Sequence, residues 1–363
     1  PPDALEKEPQ VTHMKNIPLP KKMIRVTAQI AVPGRVPLGP GTGGMGGGGD
    51  GESPVWIVQV YGHSLDEALN NMQQEIADPR YLIHLRVIVI SKEIARGGLD
   101  ELNDYLRRNP EVRRRTWLLV SETEAAELMK VAPPLERVPT LYLQAMVEKA
   151  IGMGKFPANY LGTFWIEESN WGQNGFLPYI AVQGKEHILL KGMAYFSDGR
   201  LAGVTSAVDI GVYMGIKGTD PGGYSALLEV PDLGYTMIKI TERRAKTNVR
   251  IEEGKPHVYL NLHLEGVLDE HFDAGQGADS EAALEKIEDA LERSATKLMH
   301  NFCRRTQQDH SDIFGFGEYV RAHHPGFWKQ HIHQKSDWEQ MYANITISIK
   351  LSVSIRRTGL KAK

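Results

Sequence analysis

The chain has 363 residues, 41% apolar and 24% charged, a composition that buries cores and excludes a disordered protein. Its 42 basic and 45 acidic residues leave a net charge of -3, which gives no whole-molecule field to recruit nucleic acid or an anionic membrane. The single cysteine, Cys303, excludes an intramolecular disulfide, and no apolar run reaches the roughly 18 residues of a transmembrane helix.

This length predicts more than one domain, since domains close at about 100 to 150 residues. The chain starts at Pro1 without an initiator methionine, which reads as loss of a targeting segment, so the missing signal does not place the protein in the cytoplasm. In chain order, Met23 to Val32 alternates as a half-buried strand, and a glycine-rich stretch from Gly41 to Gly51 reads as a surface loop dispensable for folding. Val55 to Tyr61 predicts the next strand. Ser64 with Glu67 is a capping-box pattern opening a helix with Leu65, Leu69, Met72 and Ile76 on one face. Strand Leu85 to Ile90, helix Leu99 to Arg107, strand Trp117 to Val120 and a helix from a second box, Ser121 with Glu124, give a βαβα order that favours parallel neighbours. A helix from Pro139 to Lys149 ends this first domain, residues 1–152.

A β-rich middle domain, residues 153–222, is expected to hold strands at Tyr179 to Val182, Ile188 to Leu190, Met193 to Phe196 and Leu201 to Val204. Asp198-Gly199 marks a hairpin between the last two, and a helix follows from Ala207 to Met214. The third domain, residues 223–363, carries the cleanest alternation, Ile345 to Ile355, repeated in Val258 to Leu264 and preceded by Val249 and Ile251. These are expected to be antiparallel neighbours, covered by a helix from Asp279-Ser280 with Leu284, Ile287, Leu291, Leu298 and Phe302 on one stripe. The fold class predicted is mixed α/β and α+β: three consecutive domains, each a sheet covered by helices, the third with an antiparallel sheet and a long helix.

Gly41, Gly43 and Gly46 have the GxGxxG spacing of a dinucleotide turn, but three prolines precede them and a strand follows, so they read as loop. The histidines His300, His310, His323, His324, His331 and His333 lack a cysteine pair or a helical HExxH partner and read as solvated. Cys303 beside Phe302 reads as a small core residue. Glu167 and Glu168, taken as extended chain, point to opposite faces, which is poor geometry for an acid and base pair. Arg107, Arg108, Arg113, Arg114 and Arg115 form a basic cluster around a proline turn, flanked by Tyr105 and Trp117. They are the candidate partner surface, weighed against a solvated helix end whose arginines suit the C-terminal dipole. Catalytic, cofactor-binding and metal residues are expected to be none. Trp328 and Trp338 are expected to anchor the connection around the last domain.

Two stretches carry a family resemblance together. The first runs Tyr61-Gly-His-Ser-Leu-Asp-Glu-Ala68, then His84 to Leu99, Leu102 to Arg108 and Glu111 to Arg113; the second is Asp312-Ile-Phe-Gly-Phe-Gly317 with Pro325, Trp328, Trp338, the Ile345 to Ile355 strand and Thr358-Gly359. This ordered set resembles the Ger(x)C family, the C-subunit lipoproteins of the germinant receptors of bacterial endospores. The resemblance implies three α/β domains, a lipid anchor on the outer face of the spore inner membrane, and two membrane-embedded partners, the A and B subunits. It implies neither catalytic residues nor cofactors nor nucleic-acid binding. The lipobox cysteine of such a protein is absent from this sequence. The rival expectations are an envelope glycan-binding or glycan-active protein using Trp165, Trp171 and Glu167, and a small-molecule sensor with a pocket between domains.

Overall fold

A computed structural model describes residues 23–32, 55–76, 82–129, 131, 138–184, 187–219, 222–271 and 280–356. The glycine-rich stretch Gly41 to Gly51, with its GxGxxG spacing, and Thr358-Gly359 lie outside the described residues. Among the described residues the elements run β1 (Ile24–Ala31), β2 (Val55–Gly62), α1 (Leu65–Met72), β3 (Val87–Ser91), α2 (Lys92–Gly97), α3 (Asp100–Arg108), β4 (Trp117–Ser121), α4 (Ala125–Leu128), α5 (Pro139–Gly152), α6 (Leu161–Ser169), β5 (Phe176–Gln183), β6 (His187–Ser197), β7 (Arg200–Val204) and α7 (Ala207–Lys217). They continue with β8 (Ser225–Val230), β9 (Gly234–Glu252), β10 (Lys255–His271), α8 (Glu281–Gln308), α9 (Phe316–His323), α10 (Pro325–His331), α11 (Lys335–Tyr342) and β11 (Thr346–Arg356). The sheets are β1-β2, a five-stranded order β3-β4-β5-β6-β7 and a four-stranded order β11-β10-β9-β8, so the mixed fold class expected from the sequence holds.

The chain divides into two compact units that interleave in sequence. One is Pro1–Met146 with Tyr160–Thr163 and Pro178–Leu190; the other is Val147–Asn159 with Phe164–Leu177 and Lys191–Lys363.

In the first unit β1 and β2 pair antiparallel from Ile24↔Gly62 to Ala31↔Val55. Alternation sends Val58 and Val60 to one side, where Ala68, Leu69 and Met72 of α1 cover them and Leu65 and Ile76 pack at the margin. Ser64 caps α1 by accepting from Glu67 N at 3.2 Å, whereas the Glu67 carboxylate accepts from His63 N at 2.6 Å, one residue further out than the expected box. β3 and β4 are parallel, as the βαβα order predicts, and β5 adds a parallel neighbour through Val120↔Tyr179. Every residue of β4 is buried, as befits an interior parallel strand. The second capping box does not form: Glu124, not Ser121, is the N-cap of α4 and makes no side-chain cap bond. Ser121 instead ends β4, with its Oγ buried and without a hydrogen-bond partner. Strand pairing claimed that residue before the helix could.

In the second unit Asp198 and Gly199, at φ 49° and 67°, turn β6 into β7 as a two-residue hairpin with the twist such strands need. Glu253 and Gly254, at 49° and 75°, do the same between β9 and β10. The last sheet differs from expectation. β9 pairs antiparallel with both β8 and β10, but β11 runs parallel to β10, from His257↔Thr346 to Val267↔Arg356. The sheet is therefore mixed, not antiparallel. A short hairpin forces antiparallel pairing; the connection from β10 to β11 is a crossover through α8 to α11, which returns the chain to the end where β10 began. Nothing in the alternation of Ile345 to Ile355 encodes strand direction.

The long helix α8 starts where expected, with Ser280 accepting from Ala283 N at 3.2 Å, and packs on β11 and β8. Its buried stripe is Ala283, Ile287, Ala290, Leu291, Met299, Phe302, Cys303 and Thr306. Leu298, expected in that stripe, is 42% exposed, and Met299 at 2% takes the buried position. Over a helix this long, small residues carry the stripe where a leucine-only reading drifts off it. Leu298→Ala is therefore expected to change stability by less than about 0.5 kcal/mol, and Met299→Ala to cost about 2–5 kcal/mol. Urea denaturation of the two variants measures both.

Candidate functional site

Among the described residues a buried polar cluster lies in the second unit, on the turn between α8 and α9. Asp312 is fully buried, a position that a carboxylate occupies only when donors meet it. Its Oδ1 accepts from Gly315 N at 2.9 Å, and its Oδ2 from Gly317 N at 2.9 Å and Trp338 Nε1 at 3.0 Å. Burial pushes this carboxyl up to about 6, against the pull of the Gly317 and Phe316 amides, the Trp338 indole and the Lys217 ammonium. Gly315 at φ 74° makes the left-handed turn that starts α9. At Gly317 a Cβ would lie 2.5 Å from both Gly172 Cα and Trp338 Cε2, so only glycine lets this backbone approach. The run Asp312 to Gly317 is thus a carboxylate and the two glycines that let backbone amides reach it.

A second layer ties this turn to the rest of the unit. Asn174 accepts from Asp312 N and donates its own N–H to the Asp312 carbonyl, each at 2.9 Å, and its Nδ2 donates to Glu339 at 2.6 Å. Glu339 Oε1 also accepts from Asp198 N at 3.1 Å, holding the β6–β7 turn, and Lys217 Nζ donates to the Phe314 carbonyl at 2.8 Å. Trp328 and Trp338 are buried with ring centroids 5.5 Å apart, in the anchoring role expected of them. Sequence reasoning missed Asn174, Lys217 and Glu339. Single polar residues on three elements carry no local pattern; only the run Asp312 to Gly317 was visible.

Glu167 and Glu168 lie on helix α6, not on extended chain, so they diverge by one helical step. Glu167 accepts from Asn159 Nδ2 at 3.0 Å, and burial pushes its carboxyl up to about 8. Glu168 accepts from Gly175 N at 2.6 Å and meets Lys335 Nζ at 3.3 Å. Each carboxyl is committed to holding backbone or a neighbour. Trp165 is half-buried and Trp171 is 45% exposed, so Glu167 inside does not share the face that Trp171 presents. Cys303 is a core residue whose thiol burial pushes up to about 12. His310, His323, His324 and His331 each contact a backbone carbonyl, of Glu339, Tyr319, Val249 and Phe327. Among the described residues no three His, Cys, Asp or Glu side chains converge to hold a metal ion, and no helix is long and apolar enough to cross a membrane.

The five candidate arginines all lie exposed on the first unit. Arg107 and Arg108 end α3, where Arg108 pairs with Asp104 at 2.9 Å. Arg113, Arg114 and Arg115 project from a fixed backbone: Thr116 N donates to the Arg113 carbonyl at 3.0 Å and Gly162 N to the Arg114 carbonyl at 2.8 Å. Arg115 lies 5.4 Å from the centre of the Tyr160 ring, a cation–π contact. Arg107 and Arg108 thus close α3, and Arg113 to Arg115 follow on the turn that leads into β4, all with exposed side chains.

Two outcomes follow for the buried groups. Replacing Trp338 with alanine removes the indole donor to Asp312 and its packing, and is expected to cost on the order of 3 kcal/mol in a denaturation curve. For Glu167 the folded-state carboxyl titrates near 8 against an ordinary value of 4.5, so its protonated form is favoured by folding. Stability from this group is intact below pH 4.5, falls between pH 4.5 and 8 by up to about 1.4 kcal/mol per unit, and is level above. Glu167→Gln, which fixes the neutral form, is expected to match the wild type near pH 5 and to exceed it progressively up to pH 8. Parallel melting curves at both pH values check this.

Comparison with known proteins accounts for the chain almost end to end. Residues 17–182 match the family model of the spore germination protein N-terminal domain, and residues 191–359 match that of the spore germination B3/GerAC-like C-terminal domain. Spore germination protein GerQC of Bacillus cereus is 22% identical over 319 residues, covering 86% of this chain and 85% of that protein. Spore germination protein KC of Bacillus subtilis is 23% identical over 366 residues, covering 92% and 85%, and spore germination protein B3 of the same organism is 23% identical over 320 residues, covering 84% and 82%. The crystal structure of the GerBC protein superposes with a TM-score of 0.58 at 18% identity, over 75% of this chain and 78% of that one, which establishes a shared fold. With both domains matched in order, the chain belongs to the Ger(x)C family of spore germination proteins.

Proposed function

We propose that the chain is the C subunit of a spore germinant receptor, a non-enzymatic protein in that role, needed for receptor assembly and for the response to nutrient germinants. Its partners on this reading are the membrane-embedded A and B subunits, and its place is the outer face of the spore inner membrane, held by a lipid anchor. The observation that carries it is the match to both domains of the germination family across residues 17–359. The chemistry is in keeping with a binding role: the strongly perturbed carboxyls, Glu167 and Asp312, are buried and spent on internal hydrogen bonds. The arginine edge on the first unit offers a surface where a partner protein or anionic headgroups would gain charge-assisted contacts on side chains already fixed at the backbone.

The reading is tested by deleting the gene in its spores: nutrient germination should fail and the A and B subunits should disappear from inner-membrane fractions, whereas full germination overturns it. The surface has its own test. Reversing charge at Arg113, Arg114 and Arg115 together is expected to leave the thermal midpoint within a few degrees while lowering the A subunit in those fractions. Normal subunit levels and germination in that variant remove the arginine edge from the interface.

A further inference from the structure

The outer face of the four-stranded sheet carries a polar constellation separate from the Asp312 network and the arginine cluster. Glu252 ends β9, Glu253 and Gly254 make the tight turn, and His257 lies two residues into β10 on the face opposite the buried Val258 and Leu260. The parallel register of β11 then sets Ser348 beside Tyr259, one diagonal step from His257. The result is a line of three: Ser348 Oγ lies 2.8 Å from His257 Nε2, and His257 Nδ1 lies 2.9 Å from Glu252 Oε2.

The proton positions follow from the carboxylate. Hydrogen bonds from Tyr259 and His257 hold Glu252 below its ordinary range, so it is ionised and only accepts. In the neutral imidazole the proton must then sit on Nδ1, facing Glu252, which leaves the Nε2 lone pair aimed at the Ser348 hydroxyl. The ring is also held in place: Tyr259 stacks on it with centroids 4.2 Å apart and planes 13° apart, and the Tyr259 hydroxyl donates to Glu252 Oε1 at 2.8 Å. Arg250 also lies over the Tyr259 ring, 5.4 Å from its centre. The His257 side chain is 19% exposed and that of Glu252 41%, so reagents reach the relay from solvent. Nucleophile, base and orienting carboxylate at these distances are the arrangement that activates a serine, and it is recognised by geometry, not by fold.

We propose that Ser348 is a nucleophilic serine, with His257 as its general base and Glu252 as a positioning residue, that reacts with small activated acyl and phosphonyl esters. The Ser348 oxygen attacks the carbonyl carbon or phosphorus, its proton passes to His257 Nε2, and the leaving group departs with the electron pair of the broken bond. With an acyl ester, the His257 imidazolium first gives its proton to solvent; water then attacks the acyl-serine as His257 takes a water proton, and His257 returns a proton to Oγ as the acyl–serine bond breaks and a carboxylic acid is released. The relay lies on a sheet face with His257 and Glu252 partly exposed, and it is assigned small esters whose leaving groups depart without added protonation. This activity is independent of the receptor role and needs no partner.

The whole chain is treated with a fluorophosphonate, which loses fluoride on attack, and adducts are located by peptide mass mapping. One adduct per chain is expected, on Ser348. Ser348→Ala should abolish it, and His257→Gln should slow it by at least about 100-fold, the reach of general-base assistance, with both variants melting at the wild-type temperature. Glu252→Gln, which releases the imidazole tautomer, should slow labelling while leaving Ser348 the labelled site. No adduct, an adduct on another residue, or wild-type labelling of His257→Gln would overturn the proposal.

Discussion

A carboxylate removed from water must be met by donors, and in this protein one such group, Asp312, organises the turn between α8 and α9. Its three donors come from two glycine amides of its own turn and from the indole of Trp338 on α11, so the hydrogen bonds fix the turn and the helices after it together. Through Asn174 and Glu339 the same network reaches the polar stretch after α6 and the β6–β7 turn. Removing one partner from such a network leaves other buried groups unpaired, which is why its members act as a unit.

The protein separates its polar chemistry by depth. The buried carboxyls Glu167 and Asp312 hold backbone amides, an asparagine and an indole, and their raised titration follows from that burial. The arginines of the first unit do the opposite: their side chains stay in solvent while the backbone beneath them is hydrogen-bonded at Arg113 and Arg114. A hydrogen-bonded backbone fixes where these arginine side chains start, which lowers the ordering cost for a partner that engages them.

The four-stranded sheet shows how one topological fact creates chemistry. Because β11 returns through a helical crossover and not a hairpin, it lies parallel to β10, and in this register Ser348 falls opposite Tyr259 and one diagonal step from His257. Ser348 then lies against His257, which the β9–β10 turn has already brought to Glu252. An antiparallel β11 would reverse the order of its residues along β10 and dissolve the relay.

Much of this was legible in the residues alone. Alternation located β1, β2, β10 and β11, Asp198-Gly199 located a hairpin, and Ser64 and Ser280 located two helix starts, because each of these depends on neighbours within a few residues. The motif Asp312 to Gly317 was visible as a pattern, though its meaning was not. Tertiary structure alone decided the parallel direction of β11, the exposure of Leu298, the use of Ser121 in a strand and not a cap, and the convergence of Asn174, Lys217 and Glu339 around Asp312. The physical reason is the same in each case: local sequence fixes backbone preference and which face is apolar, whereas strand direction, burial and hydrogen-bond partners depend on segments far apart in the chain, 138 residues for Asn174 and Asp312, that meet only when the chain is folded.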